Sequence, residues 1–138
     1  MADLERFRQA QQGVYETALG EIQTGRKRSH WMWFIFPQIE GLGQSAMSQK
    51  YAIRSLDEAV RYLRDPLLGT RLRDITAALL THSDKSATDI MGTPDDMKLG
   101  SSLTLFHLAA PDDPIFQSAL NVFFDGTLDP LTRERVQY

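Results

Sequence analysis

The sequence predicts an all-α protein, a compact multihelical single domain of about six to eight short helices spanning residues 1–138. Apolar residues recur at three- and four-residue intervals, and helix start and stop residues punctuate the chain. No segment alternates convincingly as a strand. With 138 residues, 42% hydrophobic and 24% charged, the chain suits one core of ordinary size.

The first helix is expected to start at Asp3, an N-cap residue type, with Leu4, Phe7 and Ala10 or Gln11 on one face. A second stripe, Val14, Ala18, Leu19 and Ile22, stops at Gly25, where Arg26, Lys27 and Arg28 crowd the exposed carbonyls of the helix end. Residues 29–36 are apolar on every side, which suits a buried strand or a buried helical turn. A short helix capped by Ser29 and ended by Pro37 is the expectation, because a lone strand would leave buried backbone groups unpaired. Residues 41–48 read as a Gly- and Ser-bearing loop.

Further on, Ser55 and Glu58 match a capping box opening a helix that buries Leu56, Ala59, Val60 and Leu63 and halts before Pro66. Leu68, Leu72, Ile75 and Leu79 form the clearest helical stripe. Ser86 and Asp89 suggest a capped turn ending at Gly92, and Pro94 leads into a helix over residues 97–108. Gly100, Thr104 and the serines weaken that helix enough to leave a strand open. Asp113 before Pro114 starts a helix over residues 115–124 that Gly126 ends, and Asp129 before Pro130 starts a last short one.

Composition excludes several classes of function. Lys plus Arg is 15 against Asp plus Glu 18, a net charge of −3, so the chain has no global attraction to nucleic acid or to anionic membranes. There is no cysteine, hence no disulfide, thiolate nucleophile or Cys-based zinc site, and a cytoplasmic home is expected. The longest apolar run, residues 31–36, is far short of the roughly 20 residues of a membrane span, and the polar, acid-bearing start is unlike a signal peptide. His30, His82 and His107 are scattered, without an HExxH pattern or a calcium-loop pattern, so neither a metal nor a cofactor is expected.

Two segments carry candidate chemistry. In residues 25–45, Arg26 and Lys27 could hold a phosphate or carboxylate, His30 could transfer a proton, Trp31 or Trp33 could wall a pocket for a planar group, and Gln38 could orient it. In residues 95–104, Asp96 is a second acid–base candidate, Lys98 adds positive charge, and Ser102 lies four residues from Lys98 on one helix face. Each has a plainer alternative: cations at a helix end, aromatic core, and capping acids followed by polar surface.

Across most of its length, through RFRQAQ, GRKRSHWMWFIFPQIEGLGQS, YAIRSLDEAVRYLRDPLLGTRL, DDMKLGSSLTLF and FFDGTLDPLT, the chain resembles a bacterial family known as domain of unknown function 1810, some of whose members carry the label calpastatin. The resemblance implies a mainly helical single-domain fold and no assigned catalytic residues. The calpastatin label fits poorly, since that inhibitor is a disordered repeat-bearing chain and this one has the apolar content of a globule. The leading functional expectation is a pocket of aromatic and basic residues for an anionic or nucleotide-like small molecule, with hydrolysis of an ADP-ribose-type link as the reaction to test. The alternative is a non-catalytic protein–protein interaction module that uses the aromatic patch. The first expectation requires the two segments to meet in space.

Overall fold

The computed structural model describes residues 4–136, so the expected cap at Asp3 lies outside the described residues. Ten helices occur among them: α1 (Glu5–Gln11), α2 (Tyr15–Gln23), α3 (Met32–Ile35), α4 (Ala46–Lys50), α5 (Leu56–Arg64), α6 (Pro66–Leu80), α7 (Ala87–Met91), α8 (Asp95–Ala109), α9 (Pro114–Phe124) and α10 (Pro130–Val136). The all-α expectation holds, but the expected count of six to eight is too low. The extra helix, α4, lies across the end of the stretch read as loop and is capped by Ser45, whose hydroxyl accepts from the Ser48 amide. With five residues and none of them buried, it has no apolar stripe by which to announce itself.

Helix α8 organises the molecule. It packs against α5, α7, α9 and α10, and its eight successive residues from Leu99 through Phe106 are all buried. A helix enclosed on every side has no polar face, which is why its sequence lacks a clean stripe and left a strand open. Small residues permit the enclosure. Gly100 lies under the Phe124 ring of α9, and the hydroxyls of Ser101 and Thr104 bond back to the carbonyls of Met97 (3.3 Å) and Gly100 (2.8 Å) one turn earlier. The Thr104 hydroxyl also accepts from the Asp129 amide at 2.9 Å, which suspends the start of α10 from the centre of α8.

The remaining boundaries follow local chemistry. Asp65 ends α5 and caps α6 through the amides of Leu67 and Leu68, with Pro66 at the first helical position, where its missing N–H costs nothing. Ser86 and Asp89 form a full capping box, whereas Ser55 makes only half of one: its hydroxyl accepts from the Glu58 amide. Buried Glu58 instead accepts from the Arg54 amide and pairs with Arg6 at 3.0 Å. The Ser29 cap is a correction. Helix α3 begins two residues later with no side-chain cap, and the Ser29 side chain turns instead toward Glu21, to which its hydroxyl donates.

Among the described residues one pairing of extended segments interrupts the helices, a parallel bridge between Ile39 and Ile53. The Glu40 amide donates to Ile53 and the Ile53 amide to Gln38, each at 2.8 Å. This pins the chain on both sides of α4 and fixes the loop that follows Gln38.

Helices α5 and α6 meet so closely at Gly69 that a Cβ there would collide with the Leu63 carbonyl oxygen. Gly69→Ala is expected to lower stability by about 1–3 kcal/mol, the usual cost of forcing atoms into a packed interior. Urea denaturation of the variant checks it, and an unchanged midpoint would show that the two helices do not approach this closely.

Candidate functional site

The two chemistry-bearing segments meet. The first leaves α2 through a Schellman turn in which Gly25, at φ 88°, donates to Ile22 and Arg26 donates to Glu21. From there residues 26–31 wrap around one carboxylate. Glu21 accepts from the Arg28 amide (2.7 Å), the Ser29 amide (3.0 Å), the Ser29 hydroxyl (2.6 Å) and the Trp31 indole (2.9 Å). Burial pushes the Glu21 carboxyl up, but the four donors outweigh it and hold its pKa down at about 2.

Lys27 ties this connector to α8. Its side chain is 7% exposed, its ammonium donates to the Ser29 carbonyl at 2.6 Å and pairs with Asp95 at 2.8 Å, and it sits 4.9 Å from the Trp31 ring centroid. A cation this buried needs such partners, since an unpaired one would lose its hydration without return. Asp95 also faces the Lys98 ammonium at 3.7 Å, and Lys98 in turn stands 5.6 Å from the Trp33 ring centroid. The acid and the ring thus hold Lys98 at the first turns of α8.

Lys98 reaches a cleft of about 480 Å³ bounded by α8, α10 and the loop after Gln38. Its walls include Gln38, Gly41, Leu42 and Gly43 from the loop, Pro94, Met97, Lys98 and Ser101 from α8 and its approach, and Asp129, Leu131, Glu134 and Arg135 from α10 and its approach. Gly41 adopts φ 99°, and a Cβ at this position would collide with the Arg135 guanidinium, so the arginine lies directly over the glycine backbone. Asp129 is partly occupied: one of its oxygens accepts from the Thr132 amide (3.0 Å) and hydroxyl (2.6 Å).

Of the residues singled out from sequence, Gln38 and Lys98 line this cleft together. The others stand elsewhere. Trp31 is wholly buried and hydrogen-bonded to Glu21, so it belongs to the core and cannot form a pocket wall. Trp33 is half-buried and stands behind Lys98. Lys27 is consumed by its ion pair. Arg26 and His30 are exposed on the connector and do not line the cleft. Asp96 accepts from the Thr88 hydroxyl at 2.6 Å and from the Met97 amide at 2.8 Å, serving the entry to α8. Ser102 is fully buried, with no partner for its hydroxyl among the described residues, so it cannot pair with Lys98 as a nucleophile in the cleft.

Sequence reasoning missed Arg135, Glu134 and Leu131, all on α10. Their only signal was an Arg-Glu-Arg run on a short terminal helix, which reads as solvated surface. Among the described residues no group of three or more His, Asp or Glu side chains is arranged to hold a metal, and no helix is long and apolar enough to cross a membrane.

Fold and cleft together define a small all-helical protein with a ligand-sized recess at one end of its central helix. The family model described as protein of unknown function (DUF1810) matches residues 1–136, and the chain belongs to that family. Among solved structures it is similar to the crystal structure of the conserved hypothetical protein Rv1873 from Mycobacterium tuberculosis, with a TM-score of 0.96 and 43% sequence identity over 99% of this chain and 97% of that one. No curated protein matches it significantly.

The depressed carboxyl at Glu21 sets an acid limit on this corner. Its contribution is fully present above the ordinary carboxylate range, near 4.5, and fades as the pH falls toward about 2. Glu21→Gln is therefore expected to be less stable than the parent at pH 7, with the difference narrowing steadily below pH 4.5. Denaturant midpoints for both proteins across that range check it, and a gap independent of pH would contradict the charge-based account.

Proposed function

We propose that the protein binds a small anionic molecule of nucleotide-like character in the cleft between α8, α10 and residues 41–43. The observation that carries this reading is the convergence of Lys98 and Arg135 on one recess. Among the described residues no carboxylate pairs with the Arg135 guanidinium, which leaves its planar fork of donors open to an anion.

The rest of the lining argues for more than a bare phosphate. A volume of about 480 Å³ falls in the range of roughly 300–1,000 Å³ that holds small organic ligands. Met97 and Leu131, 70% and 60% exposed, leave large apolar side chains in water at its rim, where a base or other flat group would cover them. The Gln38 side-chain amide has no hydrogen-bond partner among the described residues and can both donate and accept. Lys98 presents its charge rigidly because Asp95 and Trp33 orient it.

Acid–base work by His30 or Asp96 has no part in this reading, because neither lines the recess. If the bound molecule is hydrolysed, Asp129 and Glu134 are the carboxylates within reach of it. The aromatic docking patch finds less support: Trp31, Phe34 and Phe36 are buried, which leaves half-buried Trp33 as the remaining ring of that cluster.

Thermal-shift measurements with AMP, ADP and inorganic phosphate test the reading, since a ligand of the folded state raises the melting temperature. AMP and ADP are expected to raise it more than phosphate does. Arg135→Ala and Lys98→Ala are each expected to weaken nucleotide binding about 10- to 100-fold, from the ~1.5–3 kcal/mol of a charged hydrogen bond. Absence of any shift at millimolar nucleotide would overturn the proposal.

A further inference from the structure

A second cleft, of about 470 Å³, adjoins the first and shares Gln38, Gly41, Gly43 and Arg135 with it. Arg135 therefore stands on the ridge between two recesses, over Gly41, where the absence of a Cβ leaves it room. The two differ in chemistry. The first has Lys98 as a second cation beside Arg135, the carboxylates of Asp129 and Glu134, the former already accepting from Thr132, and the apolar groups of Leu42, Met97 and Leu131. The second is lined by Glu40, Gln44, Ser48 and Gln49, side chains that hydrogen-bond, and Arg135 is the one cation among its lining residues.

This asymmetry constrains what could fill both. An anionic group belongs at the shared ridge, where the Arg135 fork faces either side and Lys98 adds charge from the first recess. A second anion deep in the other recess would meet the Glu40 carboxylate, whereas a neutral group rich in hydroxyls would find carboxylate, carboxamide and hydroxyl partners there. The apolar rim of the first recess suits a planar group.

Building on the nucleotide reading above, we infer that the ligand is two-lobed: a nucleoside diphosphate esterified to a sugar, with the base side in the apolar recess, the diphosphate on Arg135 and Lys98, and the sugar in the carboxamide-lined recess. Gln38, Gly41 and Gly43 line both lobes, and the Ile39–Ile53 bridge keeps their segment in place. The second recess thereby acts as the specificity compartment, separating nucleotide sugars from plain nucleotides.

Calorimetric titration of the full chain with ADP and with ADP-ribose tests the inference, together with a variant that fills only the second recess. Gln44→Trp serves, since Gln44 is exposed and its side chain bonds to nothing among the described residues. ADP-ribose is expected to bind at least tenfold tighter than ADP to the parent, and the variant should lose that advantage while keeping its affinity for ADP. Equal or weaker binding of ADP-ribose by the parent, or an advantage that survives in the variant, overturns the two-lobed assignment while leaving the nucleotide site standing. Failure of both ligands to bind the parent overturns the nucleotide reading as well.

Discussion

The rest of the structure depends on the burial of α8 from every direction. A helix in that position cannot be amphipathic, so it must satisfy its own polar groups and stay thin enough for four neighbours to close on it. Gly100 and the hydroxyls of Ser101 and Thr104 meet both demands, and Thr104 goes further by holding the Asp129 amide. One side chain inside the core thus determines where α10 begins, and through it where Arg135 is delivered. Ser102 and His107, whose hydroxyl and ring Nδ1 are buried without a partner, are the two places on this helix where the polar accounting stays open among the described residues.

The near side of the cleft is set by a different device, a chain of charges and rings running from α2 to α8. Glu21 gathers the connector around itself, Lys27 passes the link to Asp95, and Asp95 shares its charge with Lys98. Trp31 and Trp33 each back one of the two ammonium groups. The run of cations and tryptophans that looks like binding machinery in the sequence is largely scaffold, and its output is a single oriented lysine. Lys27 and Lys98 differ in role because one is enclosed with its acid while the other keeps a quarter of its side chain in solvent.

Much of the helical order was legible because it rests on local rules. The stripe of Leu68, Leu72, Ile75 and Leu79 is buried as its spacing requires, and the start at Asp113-Pro114 and the capping box of Ser86 and Asp89 obey short-range chemistry. Elements governed by distant partners were not legible. Ser29 is an adequate cap by type, but a carboxylate eight residues earlier claims its hydroxyl. Helix α4 survives without a buried face because its flanks are fixed, by the Ile39–Ile53 bridge and by Arg6, which donates to the carbonyls of Lys50 and Ala52. The site divides the same way. The sequence names residues 25–45 and 95–104 as the chemistry-bearing segments but not their contact, which rests on the Lys27–Asp95 pair and on the wall that Gln38 and Lys98 share. Arg135 was invisible because nothing in its own neighbourhood reveals that it lies across Gly41.

Gly41 and Arg135 belong to nearly opposite parts of the polypeptide, and their superposition has a consequence for how the recess comes into being. During synthesis the floor emerges from the ribosome long before the guanidinium that roofs it. A chain interrupted ahead of α10 lacks one wall of the recess and one of the four neighbours that close on α8. Occupancy of the finished hollow therefore requires translation to have passed α10.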